Sequence, residues 1–239
     1  MYNQRDTVLV LLRSTQVYAS ELNLDSALSQ FDPTMLFYTT GSLYDELDSA
    51  SVKKVCDELQ RKMPLFAPLC SKLKPGAVAI LLATAGAEKS AAEPLDMYLW
   101  RLAKTSGSQM MGLESVNEQM ALFNEMSAEM LLAQLNDAAA QEEAFDALRS
   151  AYLREDLPAL AEQSVDQMNP YRGMLEKLND ERNMKMASRI AEVAKTRTVF
   201  AAIGALHLTG PRSLLRLLQE KGFTVEPVLG GNRRQWLKR

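Results

Sequence analysis

The sequence predicts an α/β (α+β) protein with a central mixed sheet flanked by helices and a helical insertion around residues 115–196. Three observations predict it. Short apolar runs bounded by turn residues recur from one end of the chain to the other, the pattern of buried strands. Between them lie longer stretches with apolar residues at helical spacing and few breakers. The 239 residues, 47% of them hydrophobic, are enough for one large α/β domain.

Taken in order, the expected strands are 8–12, 35–39, 77–83, 109–113, 198–204 and 223–228. Residues 42–62 follow the turn "TTG" and read as a helix, and residues 94–104 form a second that opens on Pro94. Residues 128–149 are Ala-rich and acidic, with apolar residues near their start. In residues 181–196, Met184, Ala187, Ile190, Ala191 and Ala194 recur at helical spacing, and Asn183 shares their inward face. After the strand at 198–204, Thr209-Gly210-Pro211 starts a last helix with a broad leucine face, and Gly222 stops it. No Gly/Ser linker or low-complexity tract interrupts this order, so residues 1–239 read as a single domain.

The net charge of −3 leaves no basic excess, which speaks against a nucleic-acid partner. The basic tail at Arg233, Arg234, Lys238 and Arg239 reads as solvated. No segment approaches the roughly 20 apolar residues that span a bilayer. The apolar core at 8–12 is too short for a signal peptide, so the chain as written is expected to be cytoplasmic, or periplasmic or secreted if it is a trimmed mature form. Cys56 and Cys70 lack metal-ligand spacing and read as buried thiols, and the 13 methionines read mostly as core filling. His207 is the only histidine, which excludes any site needing several imidazoles from one chain.

Three clusters place polar residues among apolar ones. In "MMGLESVNEQ", Glu114 ends a strand, where a carboxylate serves as general base or metal ligand, or else caps the next helix or pairs with an arginine. In "NDERNMKM", Arg182 and Asn183 sit among acids; a solvated face is the ordinary reading, against which stands the inward face of Asn183. In "IGALHLTG", His207 lies past the carboxyl end of an expected parallel strand, where open α/β sheets place ligands, though it could equally be a core histidine bonded to backbone. There is no nucleotide-binding loop, nucleophile elbow or HExxH.

In this order the three clusters resemble the TraB/GumN family, the group that contains the Tiki metalloproteases, over residues 94–228. The resemblance sets Asp96 at the family's acidic helix position, Glu114 at its Gly-Leu-Glu, and Arg182 and Asn183 at its Arg-Asn. Gly204 and His207 stand at its second Gly-x-x-His. It implies His207 and Glu114 as ligands of a divalent metal (Mn, Co or Zn), and Arg182 and Asn183 as orienting groups or oxyanion donors. Such proteins open with a strand running into Gly-Thr-x-His, followed by a strand carrying a glutamate. Here Arg13 and Gln16 fall where the glycine and histidine belong, and Tyr38-Thr39 where the carboxylate belongs. The reading that follows is a degenerate metallohydrolase site in a catalytically impaired pseudoenzyme that binds a peptide or protein. The alternative is an active divalent-metal-dependent protease with a remodelled site, and a weaker one is a small-anion site at the helix start after Thr209. Both versions of the site expect Gln16 near His207 at one edge of the sheet, with Glu114, Arg182 and Asn183 lining the same cleft.

Overall fold

Parallel strands with long crossovers and one tight disulfide-linked helical cluster account for most of the chain. The computed structural model describes residues 7–87, 93–136, 138–167 and 172–228. Its elements run α1 (Thr7–Arg13), β1 (Val17–Leu22), α2 (Leu24–Gln30), α3 (Ser49–Lys62), α4 (Pro75–Ala87), α5 (Leu95–Thr105), β2 (Gln109–Glu114), α6 (Val116–Asn124), α7 (Ala128–Asn136), α8 (Ala138–Leu153), α9 (Leu157–Gln167), α10 (Arg172–Ala194), β3 (Val199–Ala202) and α11 (Leu214–Glu220). Helices flank a small sheet, as the α/β class requires. No helix among the described residues is long and apolar enough to cross a membrane. The chain divides into two compact units, one made of residues 1–25, 94–115 and 151–239, the other of 26–93 and 116–150.

The first unit holds the sheet, ordered β2-β1-β3 with both pairings parallel rather than mixed. Val17 of β1 is level with Gln109 on one side and Val199 on the other. As the central strand, β1 is buried on both faces, which the alternation of a strand turns into two cores. Ala19 points into one with Leu113, Met186, Ala187, Ile190, Leu214 and Leu217, so the sheet there is covered by α10 and α11. Tyr18 points into the other with Leu9, Leu12, Leu99, Trp100 and Ala103, and its ring stacks on Phe200 and meets Trp100 edge-on. Of the expected inward face of α10, Asn183, Ala187 and Ile190 are buried and Ala191 and Ala194 half-buried, whereas Met184 is exposed and Met186 is the methionine that packs inward. Gly222, at φ +90°, ends the region after α11.

Two of the six expected strands are observed, at β2 and β3. Residues 8–12 form α1 instead, because a five-residue apolar run carries no period of its own. Leu9 and Leu12, three apart, are buried while Val8, Val10 and Leu11 face out, which is helical burial. Residues 77–83 lie in α4, where Pro75 opens the helix and Val78 and Leu82 share the buried face. At 35–39, Asp32 accepts from the Thr34 backbone N–H at 2.9 Å and caps a short 3-10 turn, leaving one bridge from Phe37 to Leu73. Residues 223–228 are irregular; Pro227 lacks the N–H a ladder needs, and Val228 is exposed. The helix after Thr209 starts later than expected, at Leu214, with Ser213 as its cap. The expected helix at 128–149 is two, α7 and α8, and that at 42–62 begins at Ser49 behind the Asp48 cap. The basic tail lies outside the described residues.

The second unit packs α3, α4 and α7 around Leu43, Val52, Val55, Leu59, Val78, Leu82 and Leu131. Cys56 and Cys70 are not thiols: they form a disulfide, with Cα atoms 5.6 Å apart, that ties α3 to the 3-10 segment Pro64–Lys72. Pro64 and Pro68 fold that segment back on α3, closing the cysteines on each other. The start of α4 meets α6 so closely that a Cβ on Gly76 would stand 2.1 Å from the Phe123 carbonyl oxygen. Gly76→Ala is therefore expected to force the two helices apart and to lower stability by about 1–3 kcal/mol. Urea denaturation of the variant is the check, and an unchanged midpoint would show that the helices are not this close.

Candidate functional site

The carboxyl ends of three parallel strands bring three groups to one edge of the sheet. β1 delivers Glu21, β2 delivers Glu114 at its last residue, and the 3-10 turn Ala205–Leu208 after β3 delivers His207. The long helix α10 adds Arg182 and Asn183, consecutive residues whose side chains diverge to different partners. Four of these five residues are the ones expected from sequence, and the fold brings all four together.

Arg182 is the hub. Its Nε and one terminal nitrogen donate to the two oxygens of Glu114 at 2.8 and 2.6 Å, a fork-to-fork pair, and the same terminal nitrogen donates to Glu21 at 3.0 Å. The Glu114 side chain is essentially inaccessible and that of Arg182 is 18% exposed, so the pair is shielded from water. Charge-assisted bidentate bonds are among the strongest hydrogen bonds available to a side chain. The other Glu21 oxygen accepts from the Gly204 backbone N–H at 2.8 Å, fixing the turn that carries His207. Any side chain at 204 would press on that carboxylate, since a Cβ there would lie 3.1 Å from it.

His207 is buried and bonded to Asn183, with Nδ1 to Oδ1 at 2.6 Å. The Asn183 amide nitrogen donates to the Arg212 carbonyl at 2.9 Å, so the amide oxygen is the atom facing the ring. An oxygen accepts, hence Nδ1 carries the proton and Nε2 holds a lone pair. Nε2 faces Glu21 Oε1 at 3.9 Å, beyond hydrogen-bond length. Burial, followed by the positive charge of Arg182, pushes the imidazole below its ordinary value, against the opposing pull of Glu21 and Glu114. Imidazole in the unfolded chain titrates at about 6.5. The unfolded chain therefore binds the extra proton first. The contribution of neutral His207 is complete above that value and is lost as pH falls from it toward the lower folded value. The urea midpoint is expected to be flat just above pH 7 and to fall as pH drops below about 6.5, with His207→Gln removing that part of the slope. A fall of the same size in the variant would assign the slope to other groups.

Other expected site residues lie elsewhere. Gln16 sits at the amino end of β1: its backbone N–H donates to the Thr198 hydroxyl at 3.0 Å, and its side-chain oxygen accepts from the Thr198 N–H at 3.1 Å. A six-residue strand rises about 20 Å, so Gln16 stitches the opposite edge of the sheet and does not face His207. Arg13 is an exposed residue in the last turn of α1. Tyr38 belongs to the second unit, in no strand, and donates to Glu46 at 2.5 Å. Asp96 is exposed in the first turn of α5 and accepts from the Met97 backbone N–H. α11 has seven residues and its first turn is capped by Ser213, so no anion site is built there. Glu21 is the member that sequence reasoning missed. Its signal was the run Val17-Tyr18-Ala19 leading into Ser20 and Glu21, hidden because β1 itself was not recognised.

Among the described residues, no group of three or more His, Cys, Asp or Glu side chains is placed to hold a metal ion. Both Glu114 oxygens face Arg182, and Glu21 divides its two between Arg182 and Gly204, which leaves Nε2 of His207 as a single basic donor. A divalent ion takes several protein ligands, so this donor set does not fit one. What the fold and site define is a parallel α/β scaffold with a closed Glu-Arg-Glu and Asn-His network at its carboxyl edge. The chain belongs to the TraB/PrgY/gumN family, whose model matches residues 1–227. Comparisons with curated proteins and with solved structures returned no match.

Proposed function

We propose that this TraB-family protein is a catalytically impaired pseudoenzyme that acts by binding a peptide or protein. One observation carries the reading: Arg182 engages both carboxylates of the site at once. A metal ion approaching either carboxylate would have to displace a guanidinium already bonded there. At about 4 Å and an effective dielectric near 20, each unit-charge repulsion costs about 4 kcal/mol. The site is then a network in which Arg182 offsets one of the two carboxylate charges and is bonded to both, which fixes the carboxyl edge of the sheet and holds no resident Mn, Co or Zn. The Cys56–Cys70 disulfide supports an oxidising compartment, periplasmic or extracellular, over the cytoplasm.

The alternative of an active metal-dependent hydrolase draws on a second observation, the 3.9 Å between His207 Nε2 and Glu21 Oε1. Two donors at that spacing fall short of the three protein ligands usual in catalytic zinc sites. Calorimetric titration of Mn²⁺, Co²⁺ and Zn²⁺ separates the two readings. The proposal expects no saturable heat in the micromolar range and no difference between the unmodified chain and His207→Ala. Micromolar binding that His207→Ala abolishes would reject it.

A further inference from the structure

A cavity of about 690 Å³ lies within the second unit, between α3, α4 and α7. Two of these helices turn a stripe of residues three and four apart toward it: Ala79, Leu82 and Ala83 of α4, and Leu131, Gln134 and Leu135 of α7. Leu82 and Leu131 make an apolar floor, and the alanines keep the α4 wall low. The α3 wall is charged from Lys53 to Lys62, about 14 Å of helix at 1.5 Å per residue. A trough bounded by stripes at helical spacing is the surface against which one more helix of two to three turns packs.

The charge of the α3 wall says which kind of helix. Lys53, Lys54, Arg61 and Lys62 stand against Asp57 and Glu58, four positive charges to two negative. Both acids are already engaged: Lys53 pairs with Asp57 at 2.6 Å, and Glu58 is shared by Arg61 at 2.6 Å and Lys62 at 3.2 Å. Lys54 donates instead to the neutral side chain of Asn136. Two positive charges are left over, one at Lys54 and one in the Arg61–Lys62 pair. They lie about two helical turns apart on α3, roughly 11 Å along its axis. The chain as a whole carries a net charge of −3, so the positive sign is a property of this groove and not of the protein at large.

We propose that the α3–α4–α7 groove is the docking site for an acidic amphipathic helix of a partner protein, its apolar face on the floor and two carboxylates, at i and i+7, on the flank that meets α3. The floor supplies affinity, and the two cations set sign and orientation. The existing rim pairs are no obstacle, because exposed ion pairs are worth little and yield to a new partner. The proposal rests on the binding half of the reading above and says where the partner sits. The metal titration bears only on the catalytic half, so the two fail separately.

The test uses three synthetic peptides of about 15 residues, long enough to reach the helical state. The first carries leucines at i, i+3, i+4 and i+7 on one face and glutamates two turns apart on its flank. The second has lysines for those glutamates, and the third has serines for the leucines. Fluorescence anisotropy with the full, oxidised chain is expected to show saturable micromolar binding of the first, weakened by salt. The lysine peptide is expected to bind at least about tenfold more weakly, and the serine peptide not at all. Lys54→Glu with Arg61→Glu turns the rim from four-to-two positive to two-to-four, at exposed positions that leave the core untouched. Preference is then expected to pass to the lysine peptide. Equal binding of the glutamate and lysine peptides, binding of the serine peptide as tight as the first, or a double variant that still prefers the acidic peptide would overturn the proposal. So would failure of the acidic peptide to bind the unmodified chain, the outcome if the groove serves a second copy, another segment of this chain or a small amphiphile. The three peptides on the unmodified chain decide the matter even if the double variant does not fold.

Discussion

Replacing Arg182 with alanine is expected to destabilise the first unit by about 3–5 kcal/mol. The substitution strands the carboxylate of Glu114, whose side chain is almost wholly shielded from water, and strips Glu21 of its charged partner. Leaving a buried charge unpaired costs more than a typical point mutation, which centres near 1 kcal/mol. The companion experiment separates the pair from its penalty. Arg182→Met with Glu114→Gln removes both charges and keeps volume, and is expected to recover most of the lost stability, because a buried ion pair is close to break-even against a neutral replacement. Urea denaturation of the two variants is the readout. If Arg182→Ala alone costs under about 1 kcal/mol, the guanidinium is solvated and the network is not closed.

Removing the disulfide is the second large effect. Cys56 and Cys70 enclose a separation of 14 residues, and closing a loop of that size is worth about 3 kcal/mol through the unfolded chain. The loss falls on the second unit, where Cys70 is buried against the α3 core. Cys56→Ala with Cys70→Ala is expected to lower the denaturation midpoint, and a reductant is expected to lower the midpoint of the unmodified chain toward that of the variant. The variant itself should not respond to reductant. Alkylation of the oxidised protein under denaturing conditions should find no thiol; two labelled cysteines would contradict the bridge.

The carboxyl edge of the sheet was legible because its signals are local. Glu114 after a β-type run, the inward-facing Asn183 and the strand-to-turn position of His207 each follow from short stretches, and the fold places them as those stretches imply. The amino-terminal third was less legible for two physical reasons. A run such as residues 8–12 is as apolar in a helix as in a strand, and only the three-residue spacing of Leu9 and Leu12 against the sheet decides it. β1 hides its identity in the opposite way: Ser20 and Glu21 interrupt the apolar pattern because they stand at the carboxyl end of the central strand, where Ser20 donates to the Leu22 carbonyl and Glu21 accepts from the Gly204 N–H. With β1 unseen, the expected partner of His207 was sought at Gln16, which the parallel register puts at the other end of the sheet. The disulfide was illegible for a third reason. Sequence separation alone does not tell that two prolines fold Pro64–Lys72 back onto α3.

In the reading proposed above, Arg182 closes the site and leaves it catalytically impaired. The measurement that tests it most directly is hydrolysis of a fluorogenic peptide library by the unmodified, oxidised chain, with Mn²⁺, Co²⁺ or Zn²⁺ in excess. No cleavage above the level of a heat-denatured control is expected, and the same null result for His207→Ala. Metal-dependent cleavage by the unmodified chain that disappears in His207→Ala, while the fold of that variant is intact, would contradict it.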